Sequence, residues 1–278
     1  VHDDARVDPT PPADDSEAVM TGNEPRSAAE LAGQLRRAFV AGELTAYFQP
    51  QYDIATSRVV ALEALCRWRH PQHGLLLPGR FIDVAERYGL IADVGRFMLE
   101  ESGRQVADWH RRGLHVGLSI NVSPSELDPE FARTVLHRLR ELDLPHRALT
   151  VEITESPAIS YSRAELSALE ALIDGGVGVS IDDFGIGHTS LDLVRRLPLT
   201  EVKIDRSLVQ NSARAVDDLV RACLDIARDR EAVVVAEGVE TREQFERVLH
   251  WGCTRAQGYF FSPPLPVEEI ETLLAGAA

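Results

Sequence analysis

The chain has 278 residues, 44% of them hydrophobic, enough to bury one sizeable core, and α/β barrels of about 250 residues in a single domain are common. Its 44 acidic residues against 29 Lys and Arg leave a formal charge of −15. That excludes a groove for a nucleic-acid polymer, which needs clustered cations, but not a small phosphate ligand, because bound divalent cations reverse the local sign of a carboxylate-rich pocket.

Residues 1–26 carry seven acids against two arginines, with Pro9, Pro11, Pro12 and Pro25 and no apolar periodicity, and read as a disordered acidic tail. Val1 stands where an initiator Met is expected, pointing to a trimmed chain or an alternative start codon. The N-terminus lacks the basic-then-apolar order of a secretory signal, and no run approaches the ~18 apolar residues of a membrane span, so a cytoplasmic protein with no membrane partner is expected. Ser27-Ala28-Ala29-Glu30 has the form of a capping box and opens an apolar stripe through Leu31, Leu35 and Ala38 that stops near Gly42. The folded domain, 27–278, starts there.

Eight strand-like runs follow, at 46–52, 58–68, 115–121, 149–154, 177–182, 200–204, 232–237 and 254–258. Beyond the second, helical patterns separate them, for example at 81–88, 131–142, 164–173, 219–227 and 245–251. Strands alternating with helices imply parallel pairing, and eight of them imply a closed α/β barrel, a (β/α)8 TIM-like fold. The connection between the first two runs, Ile54 to Ser57, is too short for a parallel crossover, so the first strand should be antiparallel. A doubly wound open sheet is the alternative, but its Gly-rich phosphate turn is missing.

In such a barrel the chemistry lies at the carboxyl ends of the strands. Those ends are polar: Asn121 after Leu118-Ser119-Ile120, Glu152 after Leu149-Thr150-Val151, Asp182 and Asp183 after Val179-Ser180-Ile181, then Lys203, Glu237 and Gln257. Glu63, Leu65 and Arg67 share one face of the second strand by period-2 geometry. A lone acid at a strand end is most often a cap or a solvated loop residue. Several converging on one rim are different, because like charges cannot be desolvated together unless cations are shared among them. Oxygen-only ligands suit Mg²⁺ or Mn²⁺. The adjacent Asp182 and Asp183 fit a metal pair about 3.5–4 Å apart, one carboxylate bridging and the other binding one ion, and Lys203 is placed to orient a water. These features point to metal-dependent phosphoryl hydrolysis. Asp183-Phe184-Gly185 also spells the kinase metal triplet, but the other kinase signatures are missing upstream. Glycines of 184–187 suggest a mobile loop beside the metals. His70, His73 and His188 read as loop surface groups, Trp68, Trp109 and Trp251 as core, and Cys66, Cys223 and Cys253 as buried apolar residues without disulfide or zinc spacing.

Glu63-Ala64-Leu65-Cys66-Arg67-Trp68 resembles the signature of the EAL domain of bacterial cyclic-di-GMP phosphodiesterases. The resemblance runs from about residue 30 to 275 through Gln49-Pro50, Asn121-Val122-Ser123, Glu152-Ile153-Thr154-Glu155, Asp182-Asp183-Phe184-Gly185, Lys203-Ile204-Asp205, Ala236-Glu237-Gly238-Val239-Glu240 and Gln257-Gly258-Tyr259. It implies a barrel with an antiparallel first strand and hydrolysis of cyclic-di-GMP to linear 5′-pGpG with two Mg²⁺ or Mn²⁺ ions. By this resemblance Glu63, Asn121, Glu152 and Asp182 hold the first ion, and Asp182, Asp183 and Glu237 the second. Glu63, Asp182 and Glu237 count as catalytic with Lys203, which contacts the attacking water. Gln49, Leu65, Arg67, Asp205 and Gln257 bind substrate, Arg67 being suited to pair a phosphate bidentately. Glu155 braces the loop after the fifth strand. That loop departs from the common Asp-Asp-Phe-Gly-Thr-Gly-Tyr-Ser-Ser, since Ile186 lacks the Thr hydroxyl available for loop anchoring and for loop-mediated coupling in a homodimer. No GGDEF or sensor domain accompanies the motifs, which leaves regulation to the tail, a regulatory protein partner or expression. The alternative functions are a non-catalytic cyclic-di-GMP receptor, whose members usually lose a metal ligand whereas here the set is complete, and a pure protein-interaction module with an EAL fold, which the intact rim opposes.

Overall fold

The computed structural model describes residues 27–153, 161–185 and 191–276. The expected tail at 1–26, Thr154, Glu155, and the loop residues Ile186 to Ser190 with His188 lie outside the described residues.

Helix α1 (Ala28–Ala41) begins where the Ser27 hydroxyl accepts the Glu30 amide and ends at Gly42, whose φ of 68° closes it in the left-handed conformation. β1 (Leu44–Asp53) and β2 (Val59–His70) form the expected antiparallel hairpin, with Gln49 opposite Glu63 and Tyr47 opposite Leu65. Asp53 shapes the turn between them by accepting from both the amide and the hydroxyl of Thr56. The chain continues through β3 (Gly74–Leu76), α2 (Ile82–Arg87), α3 (Ile91–Arg111), β4 (Gly117–Val122), α4 (Pro129–Glu141), β5 (Leu149–Ile153), α5 (Arg163–Asp174), β6 (Gly178–Phe184) and α6 (Leu191–Arg196). β7 (Glu201–Ile204), α7 (Arg206–Val209), α8 (Arg214–Asp229), β8 (Val233–Ala236), α9 (Arg242–Trp251), β9 (Arg255–Ala256) and α10 (Val267–Gly276) complete it.

β2, β4, β5, β6, β7, β8 and β9 pair in parallel in that order, and β1 closes the ring antiparallel to both β9 and β2. Eight strands therefore form a closed barrel, and the open-sheet alternative falls. β3 is an addition that the sequence pattern does not announce; it pairs antiparallel with the end of β2, outside the ring. Its three residues are too few for a periodic signal. The 21-residue α3 buries Ser102, Gly103 and Ala107 along with Val94, Met98 and Val106, so small residues serve part of its inner stripe. At Gly103 a Cβ would stand 2.8 Å from Leu142, which fixes how closely α3 approaches the end of α4.

The core is the shell between strands and helices, built on residues such as Phe48, Leu62, Trp68, Phe81, Trp109, Leu118, Val151, Ile181 and Ile204. All three tryptophans are buried, each donating its indole N–H to a carboxylate, Glu43, Glu271 or Asp217. The three cysteines are buried and free, and burial pushes each thiol up to about 12. His70 corrects the surface reading: it is the last residue of β2, 4% exposed, packed against the Trp68 and His73 rings with its Nε2 3.3 Å from Gln34 Oε1. The strand extends two residues past Trp68 because β3 pairs with it. His73 is half-buried beside it.

Candidate functional site

Parallel strands that alternate inward and outward put Glu63, Glu152, Asp182 and Lys203 inside one ring, and Glu237 joins them just past the end of β8. Lys203 stands at the centre. Its Nζ lies 2.7 Å from Glu237 Oε1, 2.9 Å from Glu152 Oε2, 3.2 Å from Asp182 Oδ1 and 3.3 Å from Glu63 Oε2. The ammonium is 1% exposed. Burial disfavours its charge, but the carboxylates of Asp182, Glu152, Glu237 and Glu63 outweigh that and hold its pKa well above the usual value.

One ammonium cannot offset four carboxylates, and the acids divide accordingly. Burial raises Glu63, yet Lys203 and the amides of Gln257 and Asn121 prevail and bring it below the ordinary value. Gln257 Nε2 donates to Glu63 Oε2 at 2.7 Å and Asn121 Nδ2 to Glu63 Oε1 at 2.9 Å. Glu152 and Glu237 go the other way: burial, reinforced by neighbouring carboxylates and only partly countered by Lys203, pushes both well up. Asp183 is raised to about 6 by burial and by the charges of Asp182 and Asp205.

Two consecutive side chains of a regular strand face opposite ways, so Asp182 and Asp183 can share a site only where the strand is broken. The β6–β7 register shifts between Ile181 and Phe184, and Asp183 sits at φ 57°, a left-handed backbone uncommon outside glycine. This bulge turns Asp183 toward Glu237. Oxygens of Asp182, Asp183 and Glu237 all lie within 4.8 Å of one another, a spacing able to hold a cation. The donor set fits hard divalent ions on two further observations: it is all oxygen, and Glu152 Oε1 is buried with no partner among the described residues.

The remaining predicted residues lie at different distances from this centre. Gln49 belongs to the ring, accepting from Gln257 Nε2 at 2.9 Å and donating to the Ser262 carbonyl at 3.3 Å. Leu65 and Arg67 lie further along β2, Arg67 some 13 Å beyond Glu63 at the rise of a strand. The Arg67 guanidinium lies 5.5 Å from the centre of the Tyr47 ring and donates to the Cys66 carbonyl at 3.1 Å. Asp205 is buried and caps α7 by accepting the Ser207 amide at 2.7 Å, while its own amide donates to the carbonyl of Phe184, the residue after Asp183, at 3.1 Å. Glu155 is not among the described residues.

The structure adds residues that the motifs do not single out. Tyr47 is one; its signal was the alternation Tyr47, Gln49, Gln51, which puts three polar groups on the inner face of β1. A cleft of about 390 Å³ opens beside Glu63 and Asn121, floored by Leu65, Ile82 and Met98 and edged by Asp83, Glu86 and Glu126. It forms only when α2 and α3 fold over β2, which no local pattern announces. No helix of the described residues is long and apolar enough to cross a membrane.

The EAL domain family model matches residues 32–264. Among curated proteins, the bifunctional diguanylate cyclase/cyclic di-GMP phosphodiesterase MucR of Pseudomonas aeruginosa is 39% identical over 248 residues, covering 87% of this chain and 36% of MucR. The oxygen sensor protein DosP of Escherichia coli is 38% identical over 244 residues, 86% of this chain and 30% of DosP. The chain thus spans about a third of the length of these relatives. A solved structure of the PaMucR phosphodiesterase in complex with c-di-GMP superposes with a TM-score of 0.80 at 36% identity, covering 87% of this chain and 99% of that one.

Proposed function

Since the chain belongs to the EAL domain family, we propose that it hydrolyses one phosphodiester bond of cyclic-di-GMP to give linear 5′-pGpG, with two Mg²⁺ or Mn²⁺ ions at the rim. The observation that carries this is the ring of Glu63, Glu152, Asp182 and Glu237 closed around Lys203 at the strand ends. Glu63, Asn121, Glu152 and Asp182 would hold one ion, and Asp183 and Glu237, with Asp182, would hold the other. Such a pair, when bound, supplies hydroxide at neutral pH and stabilises the attacking and leaving oxygens of an in-line displacement.

The protein's own groups do the rest. Lys203, released from part of its carboxylate load, donates to the attacking water and offsets charge growing on the phosphorus oxygens. The water oxygen bonds to phosphorus as the P–O3′ bond breaks, and the proton the water gives up is balanced by the one the departing 3′ oxygen takes up, so one water is consumed per bond cleaved. Gln49 and Gln257, already hydrogen-bonded to each other, fix Glu63 and line the approach. Arg67 pairs the second phosphate, its guanidinium standing 5.5 Å over the Tyr47 ring. The cleft beside Glu63 receives one base, its floor apolar and its acidic edge matched to the N–H donors of guanine. Asp205 shapes the site from below by anchoring α7.

Incubation of the purified chain with Mn²⁺ and cyclic-di-GMP should yield pGpG, and Asp182→Ala or Lys203→Ala should abolish it. Turnover surviving both changes would overturn the assignment; tight binding without product would instead favour a receptor.

A further inference from the structure

Beneath the Lys203 ring, toward the amino ends of the strands, lies a second tier of polar side chains that the proposed reaction leaves unused. Glu152, Ser180 and Glu201 are register partners on β5, β6 and β7, so they point into the barrel side by side about 5 Å apart. Arg255 Nη1 donates to Glu201 Oε2 at 3.0 Å and to Gln51 Oε1 at 3.3 Å, carrying the tier across to β1. Gln51, Glu152 and Ser180 are 0% exposed and Glu201 3%. Yet Glu152 Oε1, Ser180 Oγ, Glu201 Oε1 and Gln51 Nε2 each lack a hydrogen-bond partner among the described residues.

Four such atoms cannot stay dry in a stable domain, where buried polar groups are paired with protein or with ordered water. The four are chemically complementary: two carboxylate acceptors, one amide donor and one hydroxyl able to do either, the Ser180 hydroxyl lying close enough to Glu201 to favour its charged form. A water that donates to one carboxylate and accepts from Gln51 or Ser180 supplies what is missing.

We propose that this tier encloses ordered water linking Gln51, Glu201 and Ser180 to the free oxygen of Glu152, and that these three are positioning residues for that carboxylate and for the cation it holds. The second half rests on the metal reading above. Ser180 is the pivot, because its hydroxyl stands between Glu152 and Glu201.

A high-resolution crystal structure of the metal-free protein should hold at least one enclosed water within hydrogen-bond distance of Gln51 Nε2, Glu201 Oε1 or Ser180 Oγ. Calorimetric titration with Mn²⁺ alone should find the affinity of Ser180→Ala lowered roughly tenfold, the size expected for an outer partner of a metal ligand. Its melting temperature in EDTA should stay close to wild type. Gln51→Met, remote from the ligands, serves should Ser180→Ala not fold, and should lose a water with a smaller fall in affinity. An interior without water at these atoms, or unchanged Mn²⁺ affinity in both variants, overturns the proposal. Wild-type protein that holds the waters but binds no Mn²⁺ would support the enclosed tier and defeat the metal reading instead.

Discussion

Replacing Lys203 with Met removes the only cation among four carboxylates whose oxygens lie 2.7 to 3.3 Å from its Nζ, while keeping most of the side-chain volume. Breaking a buried charge network by deleting one partner costs about 3–5 kcal/mol, because the charges left behind have neither water nor a counter-ion. In a domain of this size each kcal/mol moves the melting temperature about 2–4 °C, so the metal-free variant should melt roughly 6–20 °C below wild type at pH 8. The deficit has a pH signature. Glu152 and Glu237 already have raised pKa values with Lys203 present, and without it they take up protons more readily, so acid should relieve the repulsion and narrow the gap. Saturating Mn²⁺ should narrow it too, by supplying the missing positive charge. Thermal unfolding followed by circular dichroism in EDTA and in Mn²⁺, at pH 5.5 and pH 8, reads all four conditions. A Lys203→Met protein that melts in EDTA at pH 8 with wild type would refute the view that this ammonium balances the apo site.

Asp183, Glu152 and Glu237 must shed protons before a cation binds, so metal affinity should weaken as pH falls through about 6, and calorimetry in buffers of different ionisation enthalpy should record proton release. The sign reverses for the metal-free fold: the folded Asp183 holds its proton up to about 6 against an ordinary 3.8, so its contribution to stability falls as pH rises across that window. Arg67→Gln and Tyr47→Ala should each raise KM about tenfold or more with a smaller change in kcat if, as proposed, Arg67 pairs a substrate phosphate with Tyr47 supporting it; a selective loss of kcat would contradict that placement. Gly258→Ala should destabilise by about 2–5 kcal/mol, because its φ is 150° and a Cβ would stand 2.2 Å from the Val239 carbonyl oxygen; urea unfolding measures it.

Much of this site is legible in the sequence because strands alternate. Once Glu152, Asp182 and Lys203 are seen to end inward-facing runs, the barrel brings them together without further information. What escapes is set by departures from regularity and by tertiary contact. Asp183 reaches the cluster only through a bulge in β6, and the letters Asp-Asp do not encode one. Arg255 and Glu201 lie 54 residues apart and meet only because β9 and β7 both line the ring. His70 looks like a loop residue until β3 extends β2 beside it. The cleft depends on how α2 and α3 lie across β2, which propensity does not determine.

The central claim is that this rim directs a water to phosphorus and cleaves one bond. Hydrolysis of cyclic-di-GMP by the purified chain with Mn²⁺ in ¹⁸O-labelled water, followed by mass spectrometry, tests it most directly. The account predicts linear pGpG carrying one ¹⁸O in its 5′-terminal phosphate, and none of it from Asp182→Ala. Recovery of intact cyclic dinucleotide, or a linear product without the label, would contradict it.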